Sequence, residues 1–166
     1  MKIISLIILG LACVMTGQYA AYRLTKRVRI LEKIVLMFGT IENEINYLER
    51  PTEELIKKLS EKDELKELDF LPKCLSLSEA GEDIVNAWAS SIAVSDNVDG
   101  EDACILYSFG EGLGRSDIDG QISSCRYHEK LANERLSEAR DRRKRYASLA
   151  CGLGMLSGIG IFIVLL

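Results

Sequence analysis

Three groups of residues in this 166-residue chain have types that do chemistry. The run Gly110-Glu111-Gly112-Leu113-Gly114 has the glycine density of a loop that wraps a phosphate. Glu42 with Glu44, and Asp117 with Asp119, offer paired carboxylates for proton transfer or for a hard cation. His128, the single histidine, is a potential general base. Each group fails a test of spacing. A phosphate-binding P-loop follows a strand and ends in Lys-Ser/Thr, and a dinucleotide fingerprint sits in a βαβ unit. The glycine run has neither context and reads as a helix end with a tight turn. Carboxylates two residues apart on a helix point to different faces. His128 lies among Arg126, Tyr127, Glu129 and Lys130, with no nucleophile set beside it by the sequence. The cysteines are Cys13, Cys74, Cys104, Cys125 and Cys151. They form no C-x-x-C pair, and one histidine does not complete a zinc set. Their odd number argues against a disulfide framework and for reduced thiols that pack helices. The expectation is no catalytic residue, no cofactor and no metal, and hence no enzyme.

The elements that would position these residues begin at two apolar runs. Residues 3–22 are apolar but for Ser5, Thr16 and Gln18, and residues 147–166 carry no charge. Twenty residues of helix rise about 30 Å, the thickness of a hydrocarbon core. The first run has the length of a signal peptide as well, with a weak cleavage context at Tyr19-Ala20-Ala21. A lipidated Cys13 is a further reading, but a retained span fits its length and its basic flank better. Residues 23–33 hold five Lys/Arg against one acid, and residues 135–145 hold six against two. Residues 34–134 hold nine Lys/Arg against 22 acids, a net charge of −13 between two positive collars. Bases beside apolar spans contact lipid headgroups and stay on the cytoplasmic side. The contacts expected at the membrane surface are Arg23, Lys26, Arg27, Arg29, Arg140, Arg142, Arg143, Lys144 and Arg145, and nucleic acid is not an expected partner. Residues 1–22 and 147–166 are then transmembrane helices, and 23–146 is a cytoplasmic domain. Ala150, Gly154 and Gly158 recur every fourth residue, which lets two helices approach closely in lipid.

Between the collars the periodicity is helical throughout, and the chain has only two prolines. Leu24, Val28, Leu31, Val35, Phe38, Ile41, Ile45 and Leu48 keep three- and four-residue spacing up to Pro51. A second helix runs from Pro51 or Thr52 to Ser60. A third is capped by Asp63 and ends near Pro72. A fourth is capped by Ser78 and runs to Val94, with Ala80, Ile84, Ala87 and Trp88 on its apolar face. A fifth runs from Asp99 to Phe109. Asp117 caps a sixth, very long helix with Ile118, Ile122, Cys125, Ala132, Leu136 and Ala139 in one stripe. The fold class is all-α, a six-helix antiparallel bundle between two transmembrane helices. The turns near 49–51, 73–78 and 110–116 fall at its membrane-distal end, and those near 60–63 and 95–99 at its membrane side. Glu44 is expected near the glycine turn, within reach of Arg115.

Ile41-Glu42-Asn43-Glu44-Ile45-Asn46-Tyr47 resembles the L-E-x-E-I-x-Y signature of stage III sporulation protein AB. Ala87-Trp88 is similar to that family's A-W pair. The segment from Phe109-Gly110 to Gln121 resembles its F-G-x-x-L-G-x-x-D-x-x-x-Q stretch, and residues 149–166 resemble its apolar end. The resemblance implies a structural role in the channel complex between mother cell and forespore during endospore formation. It also implies a soluble part like the cytoplasmic bundle of type II secretion platform proteins, seated in the mother-cell membrane. The partners it implies are other channel proteins, including a secretion-type ATPase, and membrane lipids. A partner surface of Glu44, Tyr47, Leu113, Arg115, Asp117 and Gln121 is expected on this reading. The alternative is a membrane-anchored sensor or regulator whose bundle binds a small ligand in an enclosed pocket.

Overall fold

The computed structural model describes the backbone of residues 2–48, 52–113 and 117–165, and the side chains of 18–46, 54–113, 117–147 and 149. Among the described residues the protein is helix and turn alone, with six α-helices. They are α1 (Lys2–Leu48), α2 (Thr52–Glu61), α3 (Phe70–Glu79), α4 (Ile84–Ala93), α5 (Gly100–Glu111) and α6 (Ile118–Leu165), with a 3₁₀ turn at Asp63–Leu65. The chain divides into two compact units. One is formed by its two ends, Met1–Val28 with Glu138–Leu166, and the other is Arg29–Ser137. Among the described residues no helix is long and apolar enough to cross a membrane. The side chains of the two apolar runs lie almost wholly outside that set, as do those of Ala150, Gly154 and Gly158.

In the unit Arg29–Ser137, α1 buries Leu31, Ile34, Met37, Phe38, Ile41 and Ile45. The stripe is the expected one but broader, because Ile34 and Met37 are closed in while Val35 is half-buried. α6 buries Ile122, Cys125, Ala132 and Leu136 as its periodicity requires. Aspartates start three helices: Asp83 accepts from Val85 N at 3.2 Å, Asp99 from Gly100 N at 2.9 Å, and Asp117 from Gly120 N at 3.0 Å. Each satisfies an amide that has no partner inside its own helix.

The middle of the bundle departs from the sequence reading. Asp63 opens only a single 3₁₀ turn, and Pro72 does not end a helix. Pro72 is the third residue of α3, where the missing N–H has no acceptor within the helix to lose. Ser78 does not cap α4, since it lies in the last turn of α3. That helix ends at Gly81, whose φ of +93° is one that only glycine adopts freely. Gly81 N donates to Ser78 O at 2.9 Å and Glu82 N to Leu77 O at 3.1 Å, the paired bonds of a Schellman ending.

Two loops are clasped together at the Arg29 end of this unit. Asp69 accepts from Lys73 Nζ at 2.8 Å, from Ser95 Oγ at 2.5 Å and from Asp96 N at 3.0 Å. Lys73 also donates to Val94 O at 2.7 Å, and Asn97 Nδ2 to Glu67 O at 2.8 Å. Arg29 completes the tie with Glu67 at 2.7 Å. The 94–99 turn is therefore tied to the segment that holds Glu67 and, through it, to Arg29. Burial pushes the Asp69 carboxyl upward, but the Lys73 ammonium, the Ser95 hydroxyl and the Asp96 amide outweigh it and hold it below the usual carboxylate range. A carboxyl depressed on folding stabilises the fold above its unfolded value of about 3.9, and that contribution is lost as the pH falls through the lower folded value. Below about pH 4 the chain is expected to lose stability partly through Asp69, and Asp69→Asn should flatten that part of the profile. At neutral pH Asp69→Ala should cost about 1.5–3 kcal/mol, the range for hydrogen bonds to a charged group. Urea midpoints from pH 3 to pH 7 check both.

Candidate functional site

The glycine run divides between two tasks. Gly110 lies inside α5 and is buried, so it does not belong to the turn that the sequence reading assigned it. A Cβ on it would stand 2.3 Å from Trp88 Cδ1 and 2.8 Å from Trp88 Nε1. The indole is held there by its own hydrogen bond, Nε1 donating to Leu106 O at 2.8 Å. Two motif fragments of the sequence, Ala87-Trp88 and Phe109-Gly110, are thus one packing contact between α4 and α5. Gly112 does end the helix, as expected, with its N–H on Phe109 O at 3.1 Å and Leu113 N on Gly110 O at 3.1 Å. Gly114 lies outside the described residues.

Phe109 joins two aromatic groups. Its ring meets Trp88 at 5.8 Å on one side and Phe38 at 5.0 Å on the other, and Phe70 closes on Trp88 at 5.3 Å. His128 completes the second group, 6.0 Å from Phe38 and 5.5 Å from Phe109. It is 5% exposed. Its Nδ1 is 2.7 Å from Ser124 O, which only accepts, so Nδ1 carries a proton, and Nε2 lies 3.3 Å from Ser108 Oγ. The order serine, imidazole, acceptor is that of a nucleophile with its base. Ser108 sits in the last turn of α5, however, where the backbone N–H groups belong to the helix and do not form an oxyanion site. The two serines satisfy a buried imidazole. Ser124 was legible four residues before His128; Ser108, on another helix, had no sequence signal.

The residues expected at a partner surface scatter in role. Leu113 is buried and Gln121 half-buried, and both line a shallow groove with Ile41, Ile45, Phe109 and Cys125. Its open volume is about 10 Å³, enough for one water molecule and too small for an enclosed ligand. Glu44 is 11% exposed and reaches Lys58 Nζ at 2.7 Å, tying α1 to α2. Beside it Glu42 accepts from Arg126 Nε at 2.7 Å and ties α1 to α6. Asp117 is exposed and serves as the cap of α6. Arg115 and the Tyr47 side chain lie outside the described residues. Of the expected membrane contacts, Arg23, Arg140, Arg142, Arg143, Lys144 and Arg145 are exposed, Lys26 and Arg27 are half-buried, and Arg29 is engaged by Glu67.

The thiols follow the packing. Cys74 and Cys125 are buried and free, and Cys104 is exposed and free. Cys13 and Cys151 fall among side chains that are not described. Burial pushes the Cys74 thiol up to about 11 and the Cys125 thiol up to about 12, with Glu42 and Glu129 adding to the latter. In a Cys13→Ala/Cys151→Ala protein at pH 8, a maleimide should label Cys104 about 100-fold faster than Cys74 or Cys125 until the fold is opened with urea. Mass spectrometry of the labelled peptides checks this.

No curated protein and no solved structure matches the chain. A family model does, over residues 2–166, and it is described as stage III sporulation protein AB. The match takes in both long helices, the Trp88–Gly110 contact and the groove beside Gly112, and by it this chain belongs to the stage III sporulation protein AB family, with a role in sporulation.

Proposed function

We propose that this chain is a platform subunit of the channel built between mother cell and forespore, with no catalysis of its own. Residues 3–22 and 147–166 anchor it in the mother-cell membrane, and the unit Arg29–Ser137 works in the cytoplasm. The observation that carries this reading is the use made of its motif residues. Glu42 and Glu44 tie helices, Trp88 and Gly110 pack against each other, and Leu113 and Gln121 border an open groove. A chain that spends its characteristic residues on shape and on one end surface is suited to holding partners. The pairing of the two chain ends in one compact unit supports a hairpin of two spans. The groove beside Gly112 has room for one water and does not itself enclose a small ligand.

The test is photocrosslinking from position 115 in sporulating cells. Capture of a secretion-type ATPase or another channel protein is expected, and in a separate strain Arg115→Glu should abolish complex assembly while Trp88 emission stays native. A normal complex in the Arg115→Glu strain would remove this residue from the surface. For the anchors, Arg142, Arg143 and Lys144 together replaced by glutamate should loosen membrane seating or invert the second span, each base contributing about 1 kcal/mol at an anionic surface. Unchanged orientation in a protease-protection assay would count against the collar.

A further inference from the structure

On α6, Ile118, Gln121, Ile122 and Cys125 follow at i, i+3, i+4 and i+7, one face of the helix. Cys125 and Ile122 are closed into the bundle, but Ile118 is 42% exposed. The apolar stripe therefore runs out of the core at the first turn of α6. It emerges beside the groove bordered by Leu113, Gln121 and Ile45. The charges around this opening are unbalanced. Glu111, Asp117 and Asp119 are exposed. From 111 to 119 the sequence holds these three acids against Arg115, a net charge of −2. Two described cations beside the α1 wall are engaged, Lys58 by Glu44 and Arg126 by Glu42.

Deepening the assembly reading, on which this rests, we propose that the mouth of this groove is covered by one apolar side chain of a partner protein, flanked in that partner by lysine or arginine. The apolar group covers Ile118 at the mouth of the groove, and the flanking bases meet Glu111 and Asp119. The groove has room for one water only, so the partner's apolar group does not enter it but lies over the exposed Ile118 at its mouth. Rim charges of this kind set the association rate and the choice of partner more than the final affinity.

The test places a photoreactive residue at Ile118 of the full chain in its own membranes and sequences the crosslinked partner peptide. The expected peptide has an aliphatic residue with at least two Lys or Arg within about four positions, one helical turn or two extended pairs away. The yield should fall about tenfold in Glu111→Lys/Asp119→Lys, with Trp88 emission unchanged, and should also fall as salt is raised. A captured peptide that is acidic or uncharged, or that comes from a second copy of this chain, overturns the inference and leaves the assembly reading standing. If a probe at Ile118 and another at Gln121 trap no protein at all, this end of the bundle is not an assembly surface, and both fall.

Discussion

Gly110→Ala is expected to destabilise the bundle by about 3 kcal/mol, the upper end of the usual cost of overpacking. The added methyl would stand 2.3 Å from Trp88 Cδ1, so one of the two must move. The indole is not free to do so. Its Nε1 is committed to Leu106 O, its ring is 1% exposed, and Phe70 and Phe109 meet it edge-on. Swinging it away would leave the buried indole N–H without its acceptor and open a void beside Phe70. Gly112→Ala is the control. A Cβ there meets Phe109 O at 3.6 Å and Ser124 Oγ at 4.0 Å, ordinary contacts, and the backbone is right-handed. It should change stability by no more than about 0.5 kcal/mol. Trp88 is the single tryptophan, so its emission in urea reports the transition, with far-ultraviolet circular dichroism as the second probe. Trp88→Phe in the Gly110→Ala background should cost less than the sum of the two changes, since the smaller ring makes room for the methyl. Equal stability of the Gly110 and Gly112 variants would mean that the ring does not rest on Gly110.

Phe38→Ala should cost about 3–5 kcal/mol. The side chain is fully buried in the last quarter of α1, and its ring meets Phe109 of α5 at 5.0 Å and His128 of α6 at 6.0 Å. Removing it leaves a cavity bounded by three helices, which close on one another poorly because each is pinned elsewhere. Glu42–Arg126 holds α1 to α6, and Ser108–His128 holds α5 to α6. Phe38→Leu fills most of the space and should cost about 1.5 kcal/mol or less. A loss below about 1 kcal/mol for the alanine variant would show that α1 is held by its ends and not by this cluster. These two substitutions also separate fold from assembly in the crosslinking tests. Both should lower the amount of folded protein, whereas Glu111→Lys/Asp119→Lys should lower partner capture alone.

Much of the architecture was legible in the residues because it depends on neighbours within one or two turns. The stripes of α1 and α6 follow from apolar residues at helical spacing, and Asp99 and Asp117 act as the caps that their positions suggested. The placement of Trp88 in the core also followed from Ile84 and Ile92 at helical spacing. The α3–α4 boundary was misread because local rules gave two answers. Pro72 suits a helix end and a helix start alike, and Ser78 and Asp83 both have cap chemistry. Packing chose between them, since α3 starting at Phe70 buries Phe70, Leu71 and Cys74 together.

The candidate site was legible only in part, and for the same reason. Leu113 and Gln121, near the ends of α5 and α6, line one groove with Phe109 and Cys125. Gly110 read as a turn, since nothing within four residues of it reveals an indole from another helix. Asp69 has only Lys73 as a charged partner one turn away, yet its carboxylate also reaches a loop 26 residues away. Helices, their caps and the bundle class were thus set by short-range chemistry that any stretch of the chain displays. Which glycine must stay bare, which aspartate joins two loops and which end of the apolar stripe opens to solvent were decided by close contacts between distant segments, and those exist only once the helices have packed.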